Sequence, residues 1–325
     1  MTQTQIPDQM TAVVLDSYSG PEALRIEQRP VPKPGKDEVL VKVAASPINP
    51  SDLAFLGGNY GFDNPPPVVP GGEGSGTVVA VGPGAMGRYF LGKRVACLSN
   101  GKRDGIWAEY VVASTKGGVF PLNKSVSLEQ GAMSVINPLT ASAFLEITKD
   151  GGHKAIVLTA AASALGQMVN RLGRSEGVQV INVVRRDAQV ELLKAQGATV
   201  VLNSNDVDFD RQFHDACHQV DAHLAFDAVA GPMTGQLLNA LPENSTVTVN
   251  SCLSRQAPQT NHDQIIIQGK TLTGLWLGPW LYSNKNLFQI LMLWRRSQKL
   301  IATDLKSEIR ARYPFQEAQK AVQEY

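Results

Sequence analysis

The sequence predicts an α/β fold with two domains, a β-rich one followed by a doubly wound parallel sheet. Three observations carry this expectation. Up to about residue 122, short β-branched runs are separated by Gly and Pro. Beyond about residue 125, apolar strands alternate with helical stretches of about 10–15 residues. A chain of 325 residues, 43% hydrophobic and 18% charged, has the length and balance of a globular protein that buries two cores.

Taken in order, segments 10–15, 38–44, 76–81 and 108–113 alternate or run β-branched. Pro30, Pro32, Pro34 and the prolines at 65–67 break the chain between them. Segment 154–159 is a short apolar strand. Leu165, Met168, Val169 and Leu172 follow at helical spacing, and that helix closes near Gly177. A buried strand over 178–184 comes next, then a helix capped by Asp187 and ended by Gly197, then a strand over 199–202. Segments 223–229, 246–250 and 271–277 continue the strand series. An apolar helix over 287–294 occupies the tail, with Arg295 and Arg296 near its C-terminal end.

The formal net charge of +1 gives no electrostatic reason to expect a nucleic acid or an anionic membrane as partner. No apolar run approaches the roughly 18 residues that a membrane-spanning helix needs. The segment MTQTQIPDQM has neither a signal-peptide apolar core nor an Arg-rich transit pattern. Cys97, Cys217 and Cys252 are few and far apart. These features predict a cytoplasmic protein kept reduced.

In a doubly wound sheet a dinucleotide lies beyond the carboxyl ends of the strands, its pyrophosphate at the N-terminus of the first helix. The candidate turn is TAAASALGQ, residues 159–167. Ala160 and Ser163 stand where glycines are common and only Gly166 remains, so the motif alone reads either as an ordinary tight turn or as a pyrophosphate cradle. Its place after the first strand of a β-α-β unit favours a cradle, in which Ala160, Ala161, Ala162 and Ala164 leave room for close approach. The second strand runs straight into Arg185 and Arg186, where an NAD site carries an acid for the ribose 2′-hydroxyl. Two guanidinium groups there are either a solvated basic pair or a 2′-phosphate site. At about 1.5–3 kcal/mol per charge-assisted bond they would select NADPH over NADH, and NADPH is the expected cofactor.

The motifs PGGEGSGTVVAVG (70–82), GKRVAC (92–97) and WAEYVVA (107–113) resemble the GroES-like domain of the medium-chain dehydrogenase/reductase superfamily. INPSDLAFLGGNYG (48–61), INPLTA (136–141), INVVRR (181–186) and GLWLGPW (274–280) more specifically resemble its 2-enoyl thioester reductases. The resemblance covers nearly the whole chain. It implies a GroES-like substrate domain over 1–123 and 284–325, and a Rossmann domain binding NADPH over 124–283. Alcohol dehydrogenases of the superfamily hold a catalytic zinc with a Cys and with the His of a G-H-E segment. Asn49 and Gly72 occupy those positions here and only Glu73 is retained, so no metal is expected. His214 and His218 of the HDACH segment, with Cys217 nearby, read as a polar surface helix rather than a metal site.

The implied reaction is reduction of an activated C=C bond, with hydride added to the β-carbon and a proton supplied to the enolate. Tyr60 is the implied acid, since the enoyl thioester reductases carry their catalytic tyrosine in the same G-N-Y-G context. A phenol of pKa about 10 is protonated at neutral pH. Matched residue by residue, the resemblance places Ala162, Ser163, Ala164 and Leu165, with the retained Gly166, in the pyrophosphate turn and Asn137 beside the nicotinamide. It gives Val249, Asn250, Ser251, Cys252 and Leu275, Trp276, Leu277, Gly278 as strand-end segments flanking it. Trp276 and Trp280 line an acyl pocket or a subunit edge. A homodimer paired through the sixth strand is expected. The substrate is an enoyl thioester, an enone or a quinone. The alternatives are an NADPH:quinone oxidoreductase that does not need Tyr60 as acid, and a non-catalytic NADPH-binding relative.

Overall fold

The computed structural model describes residues 5–61, 64–99, 101 and 103–325. The chain divides into two compact units, Met1–Ile136 with Ser307–Tyr325, and Asn137–Lys306. In the first unit β1 (Gln9–Leu15) pairs antiparallel with β2 (Leu24–Pro30). The strands β3 (Glu38–Ala45), β4 (Glu73–Val81), β5 (Arg94–Leu98), β6 (Tyr110–Ser114) and β7 (Val119–Pro121) make an antiparallel sheet in the order β6-β3-β4-β5-β7. Short helices α1 (Pro50–Leu56), α2 (Ala85–Phe90) and α3 (Leu128–Ala132) lie between and after these strands. Alternation along β3 serves two cores at once. Val39 and Val41 join Val78, Val95 and Val111 on one face, while Leu40 joins Val14, Leu56 and Trp107 on the other.

Helix α4 (Ile136–Asp150) leads into the parallel sheet of the second unit. Its strands are β8 (Ala155–Thr159), β9 (Gln179–Val184), β10 (Val200–Asn203), β11 (Leu224–Asp227), β12 (Thr246–Val249) and β13 (Thr271–Gly274), in the order β10-β9-β8-β11-β12-β13. Successive strands are joined by α5 (Ala164–Glu176), α6 (Asp187–Ala195), α7 (Phe209–Gln219), α8 (Pro232–Ala240) and α9 (His262–Ile266). All five residues of β8 are buried, as a parallel strand covered on both faces requires. Phe144 of α4 stacks on Phe226 of β11 with ring centroids 3.8 Å apart. Helices α10 (Leu277–Asn284) and α11 (Leu287–Leu300) follow, and α12 (Ala318–Gln323) belongs to the first unit. Among the described residues no helix is long and apolar enough to cross a membrane.

The structure departs from the sequence reading in four places. Segment 271–277 is not one strand. The ladder ends at Gly274 and Leu277 opens α10, whose first turn accommodates Pro279 because the early amides of a helix have no intrahelical acceptor. Asp187 is the first residue of α6 rather than its cap, and its carboxylate accepts from Asn203 Nδ2 at 2.7 Å. The tail over 284–306 stays with the second unit instead of joining the first. Arg171 donates to the carbonyls of Asp304 and Lys306 at 2.8 Å, and the ion pairs Lys285–Glu146 and Arg296–Glu176 tie it further. Finally, α7 is amphipathic, not polar throughout. Phe209, Phe213 and Cys217 are buried, so Cys217 does not join His214 and His218, whose rings stack at 4.1 Å.

Candidate active site

Strand order reverses between β8 and β11, which marks the crevice where doubly wound sheets take ligands. Thr159 ends β8, and the chain turns through Ala160 in a left-handed conformation, φ +48°. Ala161 and Ala162 are buried. Ser163 caps α5, its hydroxyl accepting from Gly166 N at 3.1 Å. The amides of Ala164 and Leu165, first and second in the helix, have no intrahelical acceptor and carry the positive end of the helix dipole. Gly166 lies directly against the turn, where an added Cβ would press into the Ala161 backbone. Small residues here let helix and strand end meet closely.

The remaining segments sit at the ends of neighbouring strands. Arg185 and Arg186 follow β9 and both are exposed, and among the described residues no ion pair engages either guanidinium. The nearby carboxylate of Asp187 is held by Asn203. Val249 ends β12, and Leu275 N donates to its carbonyl at 2.9 Å, fastening the 275–278 segment beside 249–252. Asn250 N donates to Asp227 O at 2.9 Å, while its Oδ1 is buried and meets no donor among the described residues. Ser251 and Cys252 continue into a turn closed by Arg255 N on Cys252 O. Trp276 caps α10 and is 47% exposed, Leu277 opens the helix, and Gly278 faces open space. The sheet thus gathers the segments 162–166, 185–186, 249–252 and 275–278 at one end. Asn137 is the second residue of α4, in the same unit.

Tyr60 belongs to the first unit, in the bend after α1. The turn is built by Gly58 N on Phe55 O at 2.9 Å, Asn59 N on Ala54 O at 2.8 Å, and Asn59 Nδ2 on Gly57 O at 3.0 Å. Gly58 has φ +71°, and a Cβ there would come within 3.0 Å of Tyr18 Cβ. Tyr18 braces the turn edge-on to Phe55, with its hydroxyl donating to Asn64 O at 2.9 Å. Tyr60 is partly buried against the apolar cluster of Leu56, Val68 and Trp107.

Residues 35–124 match the family model for the alcohol dehydrogenase GroES-like domain, and residues 164–292 match the zinc-binding dehydrogenase model. The mitochondrial enoyl-[acyl-carrier-protein] reductase of Arabidopsis thaliana is 30% identical over 281 residues, 84% of this chain and 74% of that protein. A solved structure described as an NADPH:quinone reductase of Mesorhizobium loti is 34% identical, with a TM-score of 0.90 over 97% of this chain and 94% of its own. A mycobacterial protein complexed with NADPH has a TM-score of 0.83 at 25% identity, over 97% and 95% of the two chains. The chain belongs to the medium-chain dehydrogenase/reductase superfamily. Within that superfamily it falls in the quinone and enoyl reductase branch, and it is an oxidoreductase on that scaffold.

Membership raises the question of zinc, which the residues present answer chemically. Asn49 turns its side-chain N–H toward Glu73 Oε1 at 3.0 Å, offering a donor where a metal needs a lone pair. Gly72 has no side chain; its backbone N–H donates to Asp52 Oδ1 at 3.0 Å. Burial, with Glu73 adding to it, pushes the Cys97 thiol up to about 12, so it stays protonated. Glu73 Oε2 is taken by the amides of Val135 and Ile136 at 3.3 and 3.0 Å. No thiolate or imidazole is on offer, and the set does not fit a tetrahedral zinc. It is a buried carboxyl pair, with desolvation holding Glu73 at about 7 and Asp52 at about 6 despite these hydrogen bonds. Sequence reading noted Glu73 but missed Asp52, Tyr18 and Asp227. The signal for Asp227 was present, an acid closing the apolar strand Leu-Ala-Phe-Asp.

Proposed function

We propose that this protein is a metal-independent, NADPH-dependent reductase of an activated carbon–carbon double bond, acting on a 2-enoyl thioester or enone. The observation that carries the reading is the Arg185–Arg186 pair, exposed at the end of β9 with neither guanidinium in an ion pair among the described residues. Two free guanidiniums there suit a 2′-phosphate, and no acid replaces them to suit a 2′-hydroxyl. The cofactor, when bound, supplies the hydride that reaches the β-carbon.

The chain's own residues do the rest. The amides at the head of α5, with Ala162, Ser163, Ala164, Leu165 and Gly166, receive the pyrophosphate. The buried, unmatched Oδ1 of Asn250 would suit an N–H donor of the cofactor. Asn137, Val249, Ser251, Cys252, Leu275, Trp276, Leu277 and Gly278 shape the nicotinamide side. Tyr60 gives its phenolic proton to the enolate as the β-carbon is reduced. The enoyl reductase relatives and the neighbour complexed with NADPH support this reading.

A quinone acceptor is the second reading, favoured by the 34% identity to the Mesorhizobium protein. NADPH oxidation measured against crotonyl-CoA, a simple enone and a quinone, with NADH as control, separates the two. Thioester turnover with NADPH preferred by about tenfold or more supports the first. Turnover of the quinone alone supports the second, and an equal rate with NADH removes the role given to Arg185 and Arg186. We further propose a homodimer joined along β13, an edge strand with Thr271 and Thr273 exposed. Sedimentation at the monomer mass would overturn that assembly.

A further inference from the structure

The backbone ladder between β8 and β11 is short. It pairs Val157 with Ala225 and Leu158 with Phe226, and stops there. This is the point where an open sheet parts its strands to admit a ligand. One residue further on, side chains continue the connection. Asp227 Oδ1 accepts from Thr159 Oγ1 at 2.9 Å, from Val229 N at 2.9 Å and from Ala230 N at 3.1 Å. Its Oδ2 accepts from Thr234 Oγ1 at 2.7 Å, in the first turn of α8. The Thr159 hydroxyl, having donated to Asp227, accepts from Ala228 N at 2.8 Å. Asp227 is fully buried, and among the described residues no cation forms an ion pair with it.

Two strained turns leave from this knot. Ala160, next to Thr159, has φ +48°, and Ala230 has φ +60°. Both are alanines in the left-handed region, a conformation that L side chains resist and that needs surrounding structure to impose it. The Ala230 amide is bonded to Asp227 directly, and Ala160 is reached through Thr159. Removing a buried hydroxyl held between a carboxylate and an amide leaves the part-buried Ala228 N–H unmatched and the carboxylate one bond short.

We propose that Asp227 is a positioning residue, whose carboxylate acts through the Thr159 hydroxyl to fix the pyrophosphate turn where the β8–β11 ladder ends. The tether holds the strand ends in register while leaving the crevice open, which further backbone pairing would not. Its link to cofactor affinity rests on the NADPH reading above.

The test compares Thr159→Val, which deletes the hydroxyl at nearly constant volume, with Thr159→Ser, which keeps it. Two readouts are taken on the full chain, NADPH affinity and hydrogen exchange over residues 159–167 and 227–235. Thr159→Val is expected to weaken NADPH about tenfold and to speed exchange in both segments. Thr159→Ser restores both. Should Thr159→Val not fold, Asp227→Asn carries the same readouts. It keeps an oxygen toward Thr159 and turns its amide to the Thr234 hydroxyl, so a smaller change in the same direction is expected. Wild-type exchange in both segments of Thr159→Val overturns the tether, and faster exchange with unchanged affinity overturns its link to the cofactor. Failure of the wild type to bind NADPH sinks the cofactor reading alone, because the exchange contrast still decides whether the tether exists.

Discussion

The turn that carries Tyr60 and the turn at the head of α5 are both short and both pass through a left-handed residue, yet different forces hold them. Gly58 and its neighbours are braced by the rings of Tyr18 and Phe55, and Tyr60 itself leans on an apolar cluster. The Ala160 turn follows a hydroxyl–carboxylate network with no apolar substitute. Aromatic packing can readjust around a changed atom and loses energy gradually. A buried polar network loses a whole partner at once. On the proposed function, the first arrangement would suit a side chain that reaches a reacting atom, and the second a backbone that presents fixed amides.

The strongest way to sharpen this contrast is Tyr60→Phe. The ring stays, so its packing against the cluster survives, while the phenolic hydroxyl and its proton are lost. Turnover of the preferred alkene should fall by roughly 10²–10⁴, the usual contribution of a positioned acid, with NADPH affinity unchanged. Steady-state kinetics together with direct cofactor titration check it, and near-normal turnover would remove Tyr60 from the chemistry.

Next in size is a pH effect confined to the first unit. Burial raises the Glu73 carboxyl from 4.5 to about 7 and that of Asp52 from 3.8 to about 6. Protons held more tightly by the folded form than by the unfolded chain contribute stability that is fully present below about pH 4 and is lost as pH climbs to about 7. For Glu73 the loss is on the order of 3 kcal/mol. Thermal melts should therefore fall between pH 5 and pH 8, and Glu73→Gln should flatten the slope. An equally steep slope in that variant would move the effect elsewhere.

How far the sequence exposes these features depends on the reach of the interaction that makes them. Strand β8 is legible as a continuous apolar run because both its faces are covered, and the tight turn before α5 is legible because close approach demands small side chains. Both are local consequences of packing. The tail is misassigned because its ties come from Arg171, 133 and 135 residues away. Asp227 looks like any strand-end acid until Thr159 meets it from 68 residues away. Segment 271–277 is apolar enough for a strand throughout, and only the end of its ladder with β12 shows where the helix takes over. The carboxyl pair escapes for the same reason. Glu73 finds the amides of Val135 and Ile136 across 62 and 63 residues, a pairing that no motif encodes.

Gly166→Ala attacks the second turn by shape instead of hydrogen bonding. The new methyl meets Ala161 backbone, which cannot swing aside as a flexible side chain would, so α5 must draw back from the strand end. Overpacking of this kind costs about 1–3 kcal/mol and should appear as a matching loss of NADPH affinity. The turnover of whatever complex forms should be largely kept. Calorimetric titration beside kcat at saturating cofactor checks it, and a variant binding NADPH as well as wild type would mean that the α5 amides are not the pyrophosphate site.

The smallest effect is expected at Gly58→Ala, and its direction matters more than its size. An alanine at φ +71° costs about 1 kcal/mol, because its Cβ crowds the backbone carbonyl in the left-handed region. That Cβ also stands 3.0 Å from Tyr18 Cβ, an atom no side-chain rotation moves, so the two backbone segments must give by a few tenths of an ångström. The turn should survive with Tyr60, two residues on, slightly displaced. A modest fall in kcat is expected, with thermal stability down by about 1–2 kcal/mol and NADPH affinity untouched. The decisive comparison is with Gly166→Ala, where affinity changes and kcat does not. If Gly58→Ala weakened NADPH as much as it slowed turnover, packing around Tyr18 would be supporting the cofactor as well, and the division of labour between the two turns would fail.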